Sequence, residues 1–448
     1  MPHRQQSSRR ISGIAVAGAA VAMLCVLAGD AFAQEAVTDA VQIRPRPEFD
    51  PIGFELDRLY TDAAAALAGR PSSDPEISRS ALSSFNILPS LAFDVSHTDN
   101  LYRAATDRRS DFITVTRPAV RIVSDWDNHS LNFYAKGDIG RHKRTRTEDF
   151  EDHKVELVGR IHVDDFDSIS AEVSGERSHE QRGELDDPGL GFGPTSVDTY
   201  KLGGTYERRV PDGVLFRPHF AVSRYRFENN GTINNADRWR DDYEFLARLG
   251  YEFIPGTTLF VQPRYTALEY RQRTDRSGQN RNTQLLEFLA GATWDASAIT
   301  FLEAGIGLLG ARFDDPAFSD STKPTARLEL TWNATPVVSV KSSIARTFSP
   351  TARAGLAGTL NTSFESSVDW EARYNVILGI GFGYQVEDLI DSVPEQSRQT
   401  NRLALTGRWL INEYFFTQGE VSRTSRTGDL PTDELRENRA VVTVGAQL

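Results

Sequence analysis

Charged residues recur at every second position through much of this 448-residue chain. Lys154, Glu156 and Arg160 alternate with Val155, Leu157 and Ile161, and Lys136 and Asp138 lie opposite Phe133, Ala135 and Ile139. Rows of both signs on one face of a sheet suit a water path, where ring charges set which ions and solutes pass. Other chemistry is poorly represented. His97, His129, His142, His153, His162, His179 and His219 stand singly, with no His-Glu-x-x-His pair that would hold a metal. There is no Gly-x-Ser-x-Gly elbow and no phosphate-cradling glycine loop. No enzyme activity, metal or cofactor is therefore expected. The acidic pairs Asp186-Asp187, Asp241-Asp242 and Asp314-Asp315 fall in or beside long polar connections. Clustered carboxylates can hold hard divalent cations that bridge lipopolysaccharide phosphates, but the favoured reading is solvated turn residues.

The elements that carry these rows are strands. From Phe85 to Leu448 the sequence runs through eighteen alternating segments separated by turn signals. Tyr243, Phe245, Ala247, Leu249 and Tyr251 alternate with Asp242, Glu244, Arg248 and Glu252, and Val376, Leu378, Ile380, Phe382 and Tyr384 alternate with Gly379, Gly381, Gly383 and Gln385. Each run has the length of a tilted strand crossing a bilayer. The last, read from Ala440, keeps period two to the end, as a strand needed for barrel closure would. Tight connections (164–168, 211–213, 254–258, 295–298, 334–336, 372–375 and 411–414) alternate with longer polar ones (184–197, 229–237, 275–281, 314–323, 350–358, 387–398 and 428–437). That is the pattern of short periplasmic turns and long outer loops, and none of the long loops carries a signal that it folds inward. The expected fold is an all-β, antiparallel, up-and-down transmembrane barrel of about 18 strands.

Trp294, Trp332, Trp370 and Trp409 recur at nearly constant spacing, each on the apolar parity just before a tight turn. They are expected at the periplasmic membrane interface, where amphipathic indoles settle. A soluble β-protein has no reason to place four tryptophans at one height on every second strand. By the same parity the lumen would hold Lys136, Asp138, Lys154, Glu156, Arg160, Glu172, Glu176, Lys201, Glu207, Arg209, Glu244, Arg248, Arg264, Glu287, Glu303, Arg327, Glu329, Lys341, Asp369, Glu371, Arg402, Arg408 and Glu420. Charges are expensive in lipid and cheap in a wet lumen, so this list argues for water inside. An aromatic slide for sugar would supply stacking faces, and inward Tyr134 and Tyr270 are only weak candidates for that role.

Residues 1–33 read as a cleaved signal peptide: Arg4, Arg9 and Arg10 precede an apolar run from Ile11 to Leu27, followed by Ala31-Phe32-Ala33. The only cysteine, Cys25, lies in that run, so no disulfide or thiolate metal site is expected in the exported chain. Residues 34–84 read as a periplasmic leader with Pro-rich linkers and a short amphipathic stretch from Phe54 to Ala68. It is read as a disordered leader, a segment entering the lumen, or a docking site. Of 50 basic and 62 acidic residues, Arg4, Arg9, Arg10 and Asp30 belong to the signal; 47 and 61 remain, a net charge of −14 that disfavours a nucleic-acid partner.

The stretch Leu88-Pro89-Ser90-Leu91-Ala92-Phe93-Asp94-Val95-Ser96-His97-Thr98-Asp99-Asn100-Leu101-Tyr102, an opening strand ending in a Thr-Asp-Asn-Leu-Tyr turn, resembles the start of the β-barrel porin family described in alphaproteobacteria. The resemblance covers Phe85 to Leu448 and implies an outer-membrane barrel of a Gram-negative bacterium, of a kind associated with exopolysaccharide production and export. The expected function is a porin-like channel for passive passage of hydrophilic solutes, with an exit barrel for exopolysaccharide and a closed structural or docking barrel as alternatives. The expected partners are outer-membrane lipid and lipopolysaccharide, the barrel assembly machinery, and polysaccharide export components.

Overall fold

The computed structural model describes residues 84–126, 128–187, 189, 192–295, 299–429 and 433–447. The signal and leader readings, and Leu448, lie outside the described residues. The chain forms eighteen strands: β1 (Phe85–Thr98), β2 (Asp111–Ser124), β3 (His129–His142), β4 (Phe150–His162), β5 (Asp167–His179), β6 (Ser196–Arg209), β7 (Val214–Phe227), β8 (Arg240–Ile254) and β9 (Thr257–Tyr270) make the first half. The second half is β10 (Thr283–Asp295), β11 (Thr300–Phe313), β12 (Ser321–Thr335), β13 (Val338–Ser349), β14 (Gly358–Arg373), β15 (Val376–Ile390), β16 (Gln396–Leu410), β17 (Phe415–Gly428) and β18 (Leu435–Gln447). Each strand pairs antiparallel with its chain neighbours, and β1 pairs with β18 to close one 18-stranded sheet into a barrel. Among the described residues no helix is long and apolar enough to cross a membrane.

The period of two becomes two faces. Leu91, Phe93 and Val95 of β1, Val155, Leu157 and Ile161 of β4, and Val442 and Val444 of β18 are all exposed, whereas Asp94, Ser96 and Thr98 between the first set are buried. Large apolar side chains stay uncovered by protein on the outside because lipid is their solvent, and the barrel has no edge strand there. In the register at closure, Ser90 faces Gln447 and Thr98 faces Arg439. At its outer end this seam is fastened by the Thr-Asp-Asn stretch. The Thr98 hydroxyl donates to Glu437 at 2.9 Å, Asp99 accepts from the backbone N–H and side-chain amide of Asn438 at 2.8 and 2.6 Å, and the fully buried Asn100 amide donates to the Arg436 carbonyl at 3.0 Å.

All connections at one rim are tight. Gly213 and Gly256 take positive φ of 90° and 79° there, and a Cβ on Gly213 would sit 2.5 Å from the Glu252 carbonyl oxygen, so only glycine fits that turn. At the other rim the strands run further than the turn signals suggest. Lys323 belongs to β12, Glu387 to β15, Arg398 to β16 and Glu437 to β18, and Glu387 and Arg398 face each other in register with an ion pair of 2.9 Å. Cross-strand pairing of opposite charges extends the ladder where polarity alone read as loop.

The two faces generate a single-residue test. Leu157 is on the exposed face, and Val158 is on the other, opposite Glu172. Leu157→Arg should impair assembly, since an Arg at the bilayer midplane costs a barrel about 2–4 kcal/mol. Val158→Arg should assemble nearly normally. Heat-modifiable gel migration reads both, and equal defects would contradict the register.

Candidate functional site

The inner face of the barrel is the candidate site, and its two halves differ. Across β6 to β12 the side chains pack on one another. Arg248 of β8 lies over the β9 and β10 side chains, donates from Nε to Gln262 at 2.7 Å, and reaches Glu303 of β11 in a two-pronged ion pair of 2.7 and 2.8 Å. Both side chains are only 5% exposed. The Phe260 ring lies 4.1 Å from the Arg248 guanidinium carbon, the Thr293 hydroxyl donates to Glu303, and Leu246 and Leu289 are buried nearby. Arg264 lies between Glu287 at 3.5 Å and Glu244 at 3.8 Å, and Arg217 donates to Glu207 at 2.7 Å. Charges this enclosed need partners of good geometry; Arg248 and Glu303 meet that need, whereas the buried Arg264 Nε and Glu287 Oε2 are held at ion-pair distance with no hydrogen bond among the described residues.

From β14 round to β2 the inner face is more open. Arg402 pairs with Glu420 at 2.8 Å yet remains 54% exposed. Arg408 donates to Gln418 at 2.7 and 2.9 Å, and Arg117 bridges Asp94 and Asp138. A recess of about 150 Å³ is lined here by Asp94, Arg117, Arg402, Gln418, Glu420 and Arg439. Of the remaining residues on the sequence-read rows, Lys154 pairs with Glu156 at 3.0 Å, Lys201 with Glu172, and Arg160 donates to the Ser168 hydroxyl at 3.2 Å. Lys136 faces Lys154 in register, Glu329 faces Glu303, Lys341 lies opposite Ser367, and Glu371 opposite Ile377. Tyr270 lies on the packed side, lining a recess with Arg240 and Arg281, and Tyr134 lies beneath Arg121, so neither presents a bare face. Asp94, Arg117, Gln262 and Arg439 were missed by sequence reasoning, although all four sit on the polar parity of their strands.

Contrary to expectation, one long loop does fold inward. The described residues of the β5–β6 connection, 180–187 above all, cross the outer mouth and are fixed on several sides. Arg182, buried, donates to both Glu148 oxygens at 2.7 and 2.6 Å and to Asp187 at 2.8 Å, beside the Tyr102 ring. Arg426 of β17 donates to the Gly183 carbonyl at 2.6 Å. Asp186 accepts from the Thr351 hydroxyl at 2.7 Å and the Ala352 N–H at 3.1 Å, on the far side of the barrel between β13 and β14. Asp186 and Asp187 are thus tethers, which corrects both readings of that pair. Asp241 and Asp242 lie within β8, bound to Arg224 at 2.7 Å and Arg240 at 3.0 Å, and Asp315 fastens the Asn280 N–H at 2.7 Å. Among the described residues no cluster suited to a metal occurs.

At the tight-turn rim, Trp294, Trp370 and Trp409 are about half exposed on the outer face close to the ends of β10, β14 and β16. Trp332 has the same position on β12 but is more covered, beside a register shift that ends at Thr335. Exposed Trp126, Phe166, Tyr374 and Tyr414 occupy the same rim and were not read from the sequence, because they lie in the turns, outside the strand period.

A closed antiparallel barrel with an apolar outer face, rim aromatics and a charged interior is an outer-membrane protein of the channel class. Residues 81–448, the whole barrel, match the family described as "Putative beta-barrel porin 2", and the chain belongs to that family. Its place is accordingly the outer membrane of a Gram-negative bacterium. No curated protein matches the chain. Among solved structures, it is similar to the outer membrane protein OpdK from Pseudomonas aeruginosa, with 9% identity over 81% of this chain and 99% of that one and a TM-score of 0.44. OccK2 (OpdF) from the same organism gives 12% identity, coverage of 81% and 98%, and a TM-score of 0.44. The siderophore receptor PirA from Acinetobacter baumannii gives 8%, 81% and 80%, and 0.42.

At the mouth, one carboxylate is displaced towards neutrality. Water reaches Glu184, but protein crowds it closely; this desolvation, with Glu180, Glu387 and Asp186 and against Arg103, pushes its carboxyl up to about 7. The folded mouth therefore holds this proton more tightly than an open loop would, and loop docking should weaken as pH rises from the ordinary carboxylate range through about 7. Cation preference, measured as a reversal potential, should rise over the same interval as the charge appears. Glu184→Gln should abolish that step, and a step that persists would assign it elsewhere.

Proposed function

We propose that this porin-family channel conducts small hydrophilic solutes passively, along a narrowed path rather than through a wide pore. The observation that carries the reading is the inner face from β14 round to β2, with Arg402 half exposed beside a polar recess of about 150 Å³. Sites that conduct must bind weakly enough to release, and a paired yet accessible guanidinium fits that need. Of the charged rows, those of the open sector, with Arg402, Arg408 and Glu420, would serve as its lining. Passage of an exopolysaccharide is the second reading. It is disfavoured by residues 180–187, whose tethers to Glu148 and Thr351 would have to part before a polymer could pass the mouth. A closed docking barrel would have no use for the open sector. A cleaved signal at residues 1–33, contacts with lipid and lipopolysaccharide, and handling by the barrel assembly machinery complete the proposal.

Single-channel recording in planar bilayers tests it. The protein should give small, stable steps in KCl that an oligosaccharide does not traverse. Arg182→Ala, which removes the tether to Glu148, should enlarge or destabilise the steps severalfold. A folded protein that never conducts, with or without this change, would overturn the channel reading in favour of a docking barrel.

A further inference from the structure

Within the open sector, the inner face of β15 is bare of side chains over its middle, between Ile377 and Gln385. Gly379, Gly381 and Gly383 occupy three successive inward positions, and a Cβ placed on Gly381 would meet nothing within 4 Å. The register sets what flanks each glycine. Glu365 of β14 and Arg402 of β16 lie on either side of Gly383, Ser367 and Ala404 on either side of Gly381, and Asp369 and Thr406 on either side of Gly379. The outcome is a niche in the wall. Its floor is Gly381 with two small neighbours; at its periplasmic end Asp369 and Thr406 lean over Gly379, and towards the mouth stand exposed Glu365 and half-exposed Arg402. Arg402 and Arg408 lean away from the niche towards Glu420 and Gln418 of β17, which keeps it clear.

Strands lie about 4.8 Å apart, so the β14 and β16 rows face each other across roughly 10 Å. One row is acidic (Glu365, Asp369, Glu371); the other carries Arg402 and Arg408, and although Glu420 of β17 offsets part of the Arg402 charge at 2.8 Å, that guanidinium stays half exposed. Charges of opposite sign held apart on either side of a gap create a field across it, stronger where low-dielectric walls confine it. A solute with a single charge is drawn to one row and repelled by the other. A neutral solute gains little. A small zwitterion can turn its ammonium to β14 and its carboxylate to β16 and gain from both.

Resting on the channel reading, we infer that the solute path runs off-axis along the β15 glycines, and that the niche at Gly381 is a weak binding site for small zwitterions of the amino-acid type. Its specificity lies in Glu365 and Arg402 acting from opposite sides, and its openness in Gly381.

Two measurements test the path and the preference separately. Gly419 of β17 also has open space at its Cβ but belongs to the exposed outer face. Gly381→Trp should cut KCl conductance severalfold while Gly419→Trp leaves it unchanged, with heat-modifiable migration confirming that each variant is folded. Should Gly381→Trp fold poorly, Gly381→Cys in a Cys25→Ser background should be blocked by water-soluble thiol reagents. Full conductance after either modification would place the path elsewhere. For the preference, liposome swelling compares L-alanine with the similarly sized L-lactate, L-alaninamide and neutral L-lactamide. Alanine should enter severalfold faster than the other three, and Glu365→Gln with Arg402→Gln should erase its advantage. Lactate entering fastest, or all four entering alike, would overturn the zwitterion site. KCl conductance in the same preparation shows whether the channel itself is sound, so failure of the preference is not mistaken for failure of the channel.

Discussion

A sheet in hydrocarbon cannot leave an edge, because each unpaired N–H or C=O there costs several kcal/mol with no water to relieve it. Pairing of β1 with β18 removes the last two edges, over a register from Ser90–Gln447 to Thr98–Arg439. The strands joined are the most distant in sequence, so this contact closes the longest loop and is the entropically costly one to make. Its outer end is where the chain spends its most specific polar contacts. Asn100 is fully buried and holds both Arg436 and its own loop at Ala104, and Asp99 binds Asn438 twice. Backbone pairing of two strands is indifferent to a slip of two residues; these side-chain contacts are not.

Once the sheet is closed, the strand period leaves every polar row facing inward, and an 18-stranded barrel is too wide for side chains alone to fill evenly. The structure meets this by filling one side. Arg248 is long enough to reach Glu303 three strands away, and with Gln262, Phe260 and Leu246 it makes a compact block in which charge is buried but matched. Such pairs contribute little net stability, since desolvation offsets their attraction, but an unmatched member would be strongly unfavourable. Their effect is to fix which strands approach and how closely.

Strand number, the tight rim and the outer tryptophans were legible in the sequence, because each follows from a period of two that local residue order expresses. The inward loop was not. Its fixing contacts join Asp186 to Thr351 and Arg182 to Glu148, residues remote in sequence and unremarkable in their own segments. Acidic pairs such as Asp186-Asp187 look like solvated turns until a hydroxyl from the far side of the same mouth and a buried guanidinium are placed beside them. The same limit explains the loop boundaries: Glu387 and Arg398 read as polar loop individually, and as strand only once they face each other.

The glycines of β15 show how a feature visible in the sequence acquires meaning only from its surroundings. Three alternate glycines weaken a strand, since they bring no side chain to pack and lose more freedom on folding. In a barrel filled evenly by side chains they would leave a void. Here the block on β6 to β12 has taken up packing on the other side, and the bare stretch of wall lies between a row of carboxylates and a row of guanidiniums. The long basic side chains lean towards β17, where Glu420 and Gln418 receive them, so cross-strand pairing on one side keeps space clear on the other. What stabilises the barrel and what leaves the niche clear are therefore one arrangement: the long side chains of β16 find partners along the wall on β17, and the gap over the β15 glycines stays unbridged.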